Sequence, residues 1–292
     1  MANDTLISRA MLASLRISSW SARKYDKRIT AETNAALGAS SDAGRYNKML
    51  LPGDASSYKA LTSHIAGVRV LHYAQTLAWS DDGWRMLPVA NYQRYTDKLR
   101  DAKHVYDSLL ADFIADYPAL QINSKIALNG GWRAEDYPDN IASKYSFAIE
   151  YSPVPSGGDF RVELSQAEID VIATRTESRV KTAFEDAHRD AVKRLFDCVS
   201  RINERLSVPA DSKGGIFRDS LIGNARELCD ILTRLNISGD ATLETLRKQT
   251  DALATVQPDT LRSDAVTRIQ TANAAQGILD SMMSVYGKGI AA

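Results

Sequence analysis

The chain has 292 residues, enough to bury a substantial core in one elongated unit or in two domains. Its 36 Lys and Arg balance 36 Asp and Glu, so no global field draws it to nucleic acid or membrane, and any such binding must come from a local patch. No window approaches 18 consecutive apolar residues, which excludes a spanning helix, and the early Asp4 argues against a signal peptide.

In chain order, Leu15 and Ile17 alternate with Arg16 and Ser18, predicting a half-buried strand over residues 13–20. Arg23, Lys24, Lys27 and Arg28 come next, and residues 1–30 hold six Lys or Arg against two Asp. The plain reading is an exposed basic linker. The functional one is a phosphate- or partner-binding arm anchored by Trp20. Residues 31–57 read as a short helix and a loop. A helix then begins around Asp54 to Ser57, with Tyr58, Leu61, Ile65, Val68 and His72 on one face.

Thr76 to Trp79 and Trp84 to Pro88, joined by Ser80-Asp-Asp-Gly83, read as a β-hairpin whose tryptophans either cover the core or stack bases. Residues 91–117 form a long helix with a heptad seam at Tyr92, Tyr95, Leu99, Ala102, Tyr106, Leu109 and Phe113, ended by Pro118. Turns come after it, then strands over 144–151 and 159–164 as a second hairpin.

The longest element runs from Ser165 to Leu206. Ser165-Gln-Ala-Glu168 is a capping box, and neither Pro nor Gly occurs again before Pro209, so a rod of roughly 63 Å is predicted. Its stripe is Ile169, Ala173, Thr176, Val180, Ala183, Ala187, Ala191, Leu195, Cys198, Ile202 and Leu206. The period is nearer a straight helix than a coiled coil. So many alanines predict close packing against another helix of this chain or a second copy. Arg189, Lys193, Arg194, Arg201 and Arg205 stand on its other faces.

Beyond it, Asp219 is expected to cap a helix bearing Ile222, Ala225, Cys229 and Leu232. Another carries Leu243 and Leu246. A last one opens at Pro258 and carries Leu261, Ala265, Ile269, Ile278, Met282 and Val285. Cys198 and Cys229 read as buried thiols of a reducing compartment, with a disulfide as the alternative.

No phosphate-loop, dinucleotide, nucleophile-elbow or zinc-protease motif occurs. Asp211-Ser-Lys213 and Lys213-Gly-Gly are faint echoes of a nuclease half-site and a phosphate loop. The four histidines have no nucleophile beside them in sequence, so no catalytic, cofactor or metal residue is assigned.

Leu15-Arg-Ile-Ser-Ser-Trp-Ser-Ala-Arg-Lys24 resembles the opening motif of a family of bacterial and phage proteins of unknown function. Phe217-Arg-Asp-Ser-Leu-Ile-Gly-Asn-Ala-Arg-Glu-Leu-Cys-Asp-Ile-Leu, Leu235-Asn-Ile-Ser-Gly-Asp240 and Pro258-Asp-Thr-Leu-Arg262 are similar to it as well. The resemblance implies a phage or bacterial cytoplasm and an adaptor role beside a ring-forming ATPase.

The expected fold is mainly α with small β-hairpins (α+β): elongated, one very long helix over about 165–206, antiparallel helical packing and a C-terminal bundle. The expected segments are 1–164, 165–206 and 207–292, or one continuous domain. The leading function is a non-catalytic assembly or adaptor protein that self-associates, with no membrane role. The alternative is binding or annealing of single- or double-stranded nucleic acid. Its contacts would be Arg16, Trp20, Arg23, Lys24, Lys27 and Arg28, with Arg189, Lys193, Arg194, Arg201 and Arg205 on the rod.

Overall fold

A computed structural model describes residues 7–80, 82–157, 165–210, 212 and 215–287. Among them are strands β1 (Ala10–Ser18), β2 (Arg23–Tyr25), β3 (Asn47–Met49), β4 (Trp84–Pro88) and β5 (Ser146–Pro153). The helices are α1 (Lys27–Ala36), α2 (Ser56–Gln75), α3 (Tyr92–Leu128), α4 (Gln166–Leu206), α5 (Ser220–Leu235), α6 (Ala241–Leu253), α7 (Pro258–Ser263) and α8 (Ala265–Tyr286). The protein is mainly α with small β elements. The chain divides into two interleaved units. Unit 1 takes residues up to 14, 72–95 and from 150 onward, and unit 2 takes 15–71 and 96–149.

Unit 1 is built on α4. The capping box forms as written: Glu168 N donates to Ser165 Oγ at 3.4 Å, and Ser165 N to Glu168 Oε2 at 3.0 Å. From Thr176 to Leu206 one face is buried, with Ala187, Ala191, Leu195, Val199 and Ile202 at its centre. Its partner is α8, whose Ala272, Ala275, Ile278 and Met282 join the same core. The pairing is antiparallel, since Asn203 donates to Gln276 at 2.7 Å while His188 meets the Tyr286 ring. Packing inside the chain therefore accounts for the alanine stripe. Small side chains let the two backbones approach.

The strand over 13–20 begins earlier and ends sooner, as β1. Its first half, Ala10–Ser14, pairs antiparallel with Pro88–Trp84 of β4, and β5 flanks it in the order β4-β1-β5. A central strand is covered on both faces, which erased the alternation used to place its start. The first predicted hairpin survives as a single bridge, Leu77 to Met86. Trp79 and Trp84 are partly buried against the unit 1 core. The return strand expected at 159–164 lies outside the described residues.

Three helix ends differ from expectation. Pro118 lies inside α3, which continues to Leu128. Asp219 makes no side-chain cap on α5, its carboxylate pairing with Arg262 instead. The last helix is two, because Asp264 caps α8 through Val266 N at 2.9 Å and breaks it from α7. That break turns the face of α8: Ile269 and Val285 are exposed, while Arg268 is 3% exposed.

Unit 2 has its own core, in which α2 places Leu61 and Ile65 against Tyr106, Phe113 and Tyr117 of α3. Tyr137, Ile141 and Tyr145, from short 3-10 turns and the entry to β5, close it.

Candidate anion-binding cleft

In unit 2, β2 and β3 pair so that Lys24 stands directly opposite Lys48. Like charges in that register repel. A 3-10 turn at Ala134–Asp136 resolves the conflict by placing Asp136 beside both, 2.5 Å from Lys48 Nζ and 4.0 Å from Lys24 Nζ. Asp26 adds a second carboxylate at 3.4 Å, and Lys48 donates to the Gly131 carbonyl at 3.0 Å. The Lys48 side chain is 4% exposed. Burial pushes its ammonium down, but the two carboxylates outweigh this and hold it above the ordinary lysine value. Asp26 is also the N-cap of α1, and that backbone bond from Ile29, with Lys48, holds its carboxyl below the usual range.

Above this buried cluster, Lys24, Tyr25, Lys27, Arg28 and Arg133 line an open cleft of about 520 Å³. Counting Lys48, five cations face two carboxylates, Asp26 and Asp136, a surplus of three. Arg45 lies over the Tyr25 ring at 4.7 Å. Part of the charge is compensated locally: Arg28 pairs with Glu32 at 2.8 Å, and Arg133 donates to the Gly130 and Trp132 carbonyls.

The basic segment is thus a paired strand and a helix start, not a linker, although Arg23, Lys24, Lys27 and Arg28 are exposed as expected. Arg16 is exposed on β1. Trp20 is partly buried, packed edge-on against Tyr58 and Tyr117 at 6.4 and 5.8 Å and against the unit 2 core.

The rod cations do not gather into a second site. Arg194 turns inward, donating to the carbonyls of Tyr73, Ala74 and Thr76 at the end of α2 and to Asp190. Arg189 pairs with Asp186 at 2.6 Å and Lys193 is half-buried. Arg201 is exposed beside a groove that Cys198 also lines, and Arg205 is exposed.

Sequence reasoning missed Lys48, Arg45 and Arg133. Arg133 is 109 residues from Lys24, and no local pattern signals that a 3-10 turn returns it to the cleft. It also missed a neighbour of His188, since Ser238 Oγ lies 3.0 Å from His188 Nδ1. Asp211, Lys213 and Gly214, which carried the two faint motif echoes, lie outside the described residues.

Both cysteines are free thiols, pushed up by burial to about 11 for Cys198 and about 12 for Cys229. Among the described residues no group of His, Cys, Asp and Glu is arranged to hold a metal ion, and no helix is long and apolar enough to cross a membrane. Compared with known proteins, the chain matches no family model, no curated protein and no solved structure.

Proposed function

We propose that the protein binds single-stranded nucleic acid through the cleft of unit 2. The observation that carries this is the convergence of Lys24, Lys27, Arg28 and Arg133 over a buried Lys48 whose own charge is already compensated. The four exposed cations outnumber the carboxylates that reach them, Asp136 at Lys24 and Glu32 at Arg28, which leaves positive charge to meet phosphates, while the buried cluster fixes the strand pair that presents them. Tyr25 supplies an aromatic edge beside them. The cytoplasm of a phage-infected or bacterial cell and an ATPase partner belong to the same proposal, on the strength of the family resemblance.

Each phosphate contact on a single strand contributes a salt slope of about 0.7. Neutralising Lys24 and Lys27 together (Lys24→Gln, Lys27→Gln) should weaken binding of a labelled oligothymidylate and reduce the slope by about 1.4. Unchanged affinity and slope, with the melting curve of the parent protein, would remove the cleft from consideration.

The assembly reading has a separate observation behind it. Ile122 and Ile126, one turn apart on α3, are 64% and 75% exposed. Sedimentation of Ile122→Lys with Ile126→Lys against the parent protein tests it: a shared, concentration-independent monomer mass rejects association through that face.

A further inference from the structure

In unit 1, three side chains from two elements and a turn meet beside the middle of α4. His188 projects from α4, Ser238 sits in the Asn236–Asp240 turn, and Asp240 is the N-cap of α6. Ser238 Oγ lies 3.0 Å from His188 Nδ1, and Asp240 Oδ2 lies 3.4 Å from His188 Nε2. We propose that Ser238, His188 and Asp240 form a nucleophile, base and orienting carboxylate that cleave small activated carboxylic esters.

The carboxylate is firmly held. Its Oδ1 accepts the amides of Thr242 and Leu243 at 2.8 and 3.2 Å, and its Oδ2 accepts the Tyr286 hydroxyl at 2.6 Å. Against burial, which raises it, the Tyr286 bond and those two amides keep the Asp240 carboxyl below the usual range, so it is ionised at neutral pH. An anion beside Nε2 favours the tautomer with its proton there, which leaves the Nδ1 lone pair to take the Ser238 proton. The nitrogens are used in the opposite sense to the familiar serine protease arrangement, but the roles are the same.

Gly239, at φ +69°, makes the turn tight enough to aim Ser238 and Asp240 at one imidazole. Ser238 Oγ has one other acceptor, Asn236 Oδ1 at 3.3 Å, and that oxygen already receives Asp240 N at 2.9 Å. The shorter contact, to His188, is the better destination for the proton.

The reaction is acyl transfer. Ser238 Oγ bonds to the ester carbonyl carbon while its proton passes to His188 Nδ1. The carbon–oxygen bond to the alcohol breaks, and the alcohol leaves with the proton from Nδ1. Water, giving its proton to Nδ1, then attacks the acyl-serine. The acid departs and the hydroxyl is restored, so ester and water become acid and alcohol.

Ser238 is exposed, which admits a small ester. The amides of Gly239 and Asp240 are both engaged inside the turn, on Asn236 O and Asn236 Oδ1, so neither serves a developing oxyanion. The substrate must therefore bring a good leaving group, and the rate enhancement should lie near the lower end of general-base catalysis, on the order of a hundredfold.

The probes are p-nitrophenyl acetate and a fluorophosphonate. Peptide mass mapping of the unmutated protein should find the fluorophosphonate on Ser238. Hydrolysis of the ester should fall about a hundredfold in Ser238→Ala and in His188→Gln. Both side chains lie at the surface or close to it, and melting curves identify any variant that fails to fold. Labelling needs no variant. A mapped Ser238 without the adduct overturns the proposal, and so does folded Ser238→Ala protein that hydrolyses the ester at the parent rate.

Discussion

At the scale of single residues, this chain uses arginine to satisfy helix ends. Arg268 is buried, and among the described residues no carboxylate pairs with it. Its guanidinium donates to the carbonyls of Arg205, Val208, Gly215 and Leu261, which come from the end of α4, the loop after it and α7. One face of it rests on Phe217, with the charge centre 5.8 Å from the ring centroid. Gly215 is obligatory here, because a Cβ would collide with the Pro209 carbonyl oxygen. Each buried carbonyl left without a donor costs about 1–3 kcal/mol. Arg268→Met fills much of the volume and supplies none of the donors, so a loss of at least about 3 kcal/mol in urea unfolding is expected. A parent-like midpoint and slope would mean that other donors or water take over. Arg226, reaching Ala254 at the end of α6, repeats the device in miniature.

A second residue-scale effect comes from His72, which is 4% exposed. Its Nδ1 lies 2.7 Å from the Tyr95 hydroxyl. Burial first, and Arg85 second, push its imidazole down to about 4, while burial pushes the Tyr95 phenol up. The pair is therefore neutral, with the phenol donating. Because the unfolded histidine titrates near 6.5, the unfolded chain takes up the proton first as pH falls. Stability is full above about pH 6.5 and declines down to about pH 4, by at most about 3 kcal/mol. In His72→Gln that part of the slope should vanish when urea midpoints are compared between pH 7 and 4.5. An unchanged slope would assign the acid sensitivity to carboxylates elsewhere.

At the scale of elements, α3 shows where a local rule lost to packing. Pro118 removes a helical N–H and crowds the preceding turn, and a helix ending there is the ordinary expectation. Tyr117 before it is buried against Trp20 and Phe113, and Ser124 beyond it is buried too, so packing on both sides carries the helix through. Pro118 itself is exposed. Pro118→Ala should return the missing donor with no loss of packing and stabilise the protein by about 1–3 kcal/mol, less the entropy a proline removes from the unfolded chain. A fall in the melting temperature would show that the proline ring is needed where it is. The capping box and stripe of α4 were legible because short-range rules decide them. The break before α8 had a signal, Asp264, that a continuous apolar count overrode. Asp219 was misread because its carboxylate answers to Arg262, 43 residues away. The cleft was half legible for the same reason, with Lys24, Lys27 and Arg28 on one segment and Lys48 and Arg133 brought there by tertiary structure.

At the scale of the whole molecule, the interleaved chain has two separate cores, and they are unequal. The unit 1 cluster gathers 29 buried apolar residues among those described, and the unit 2 cluster 12. Burial of apolar area is the main favourable term in folding, so unit 1 has more to lose on opening. The unit 2 core holds five aromatic rings among its 12 members, and among the described residues the Tyr106 hydroxyl finds no hydrogen-bond partner, which weakens it further. Stability within a protein is not uniform, and units of this kind open at different free energies. Hydrogen exchange read by mass spectrometry should therefore show peptides from α4 and α8 protected longer than those from residues 56–71 of α2 and 96–128 of α3. Binding of an oligonucleotide to the cleft should slow exchange in unit 2 and leave α4 and α8 as they were, since a ligand stabilises what it binds. Equal protection in both units without ligand would mean that the continuous helices and strands shared between them couple the two cores into one cooperative transition.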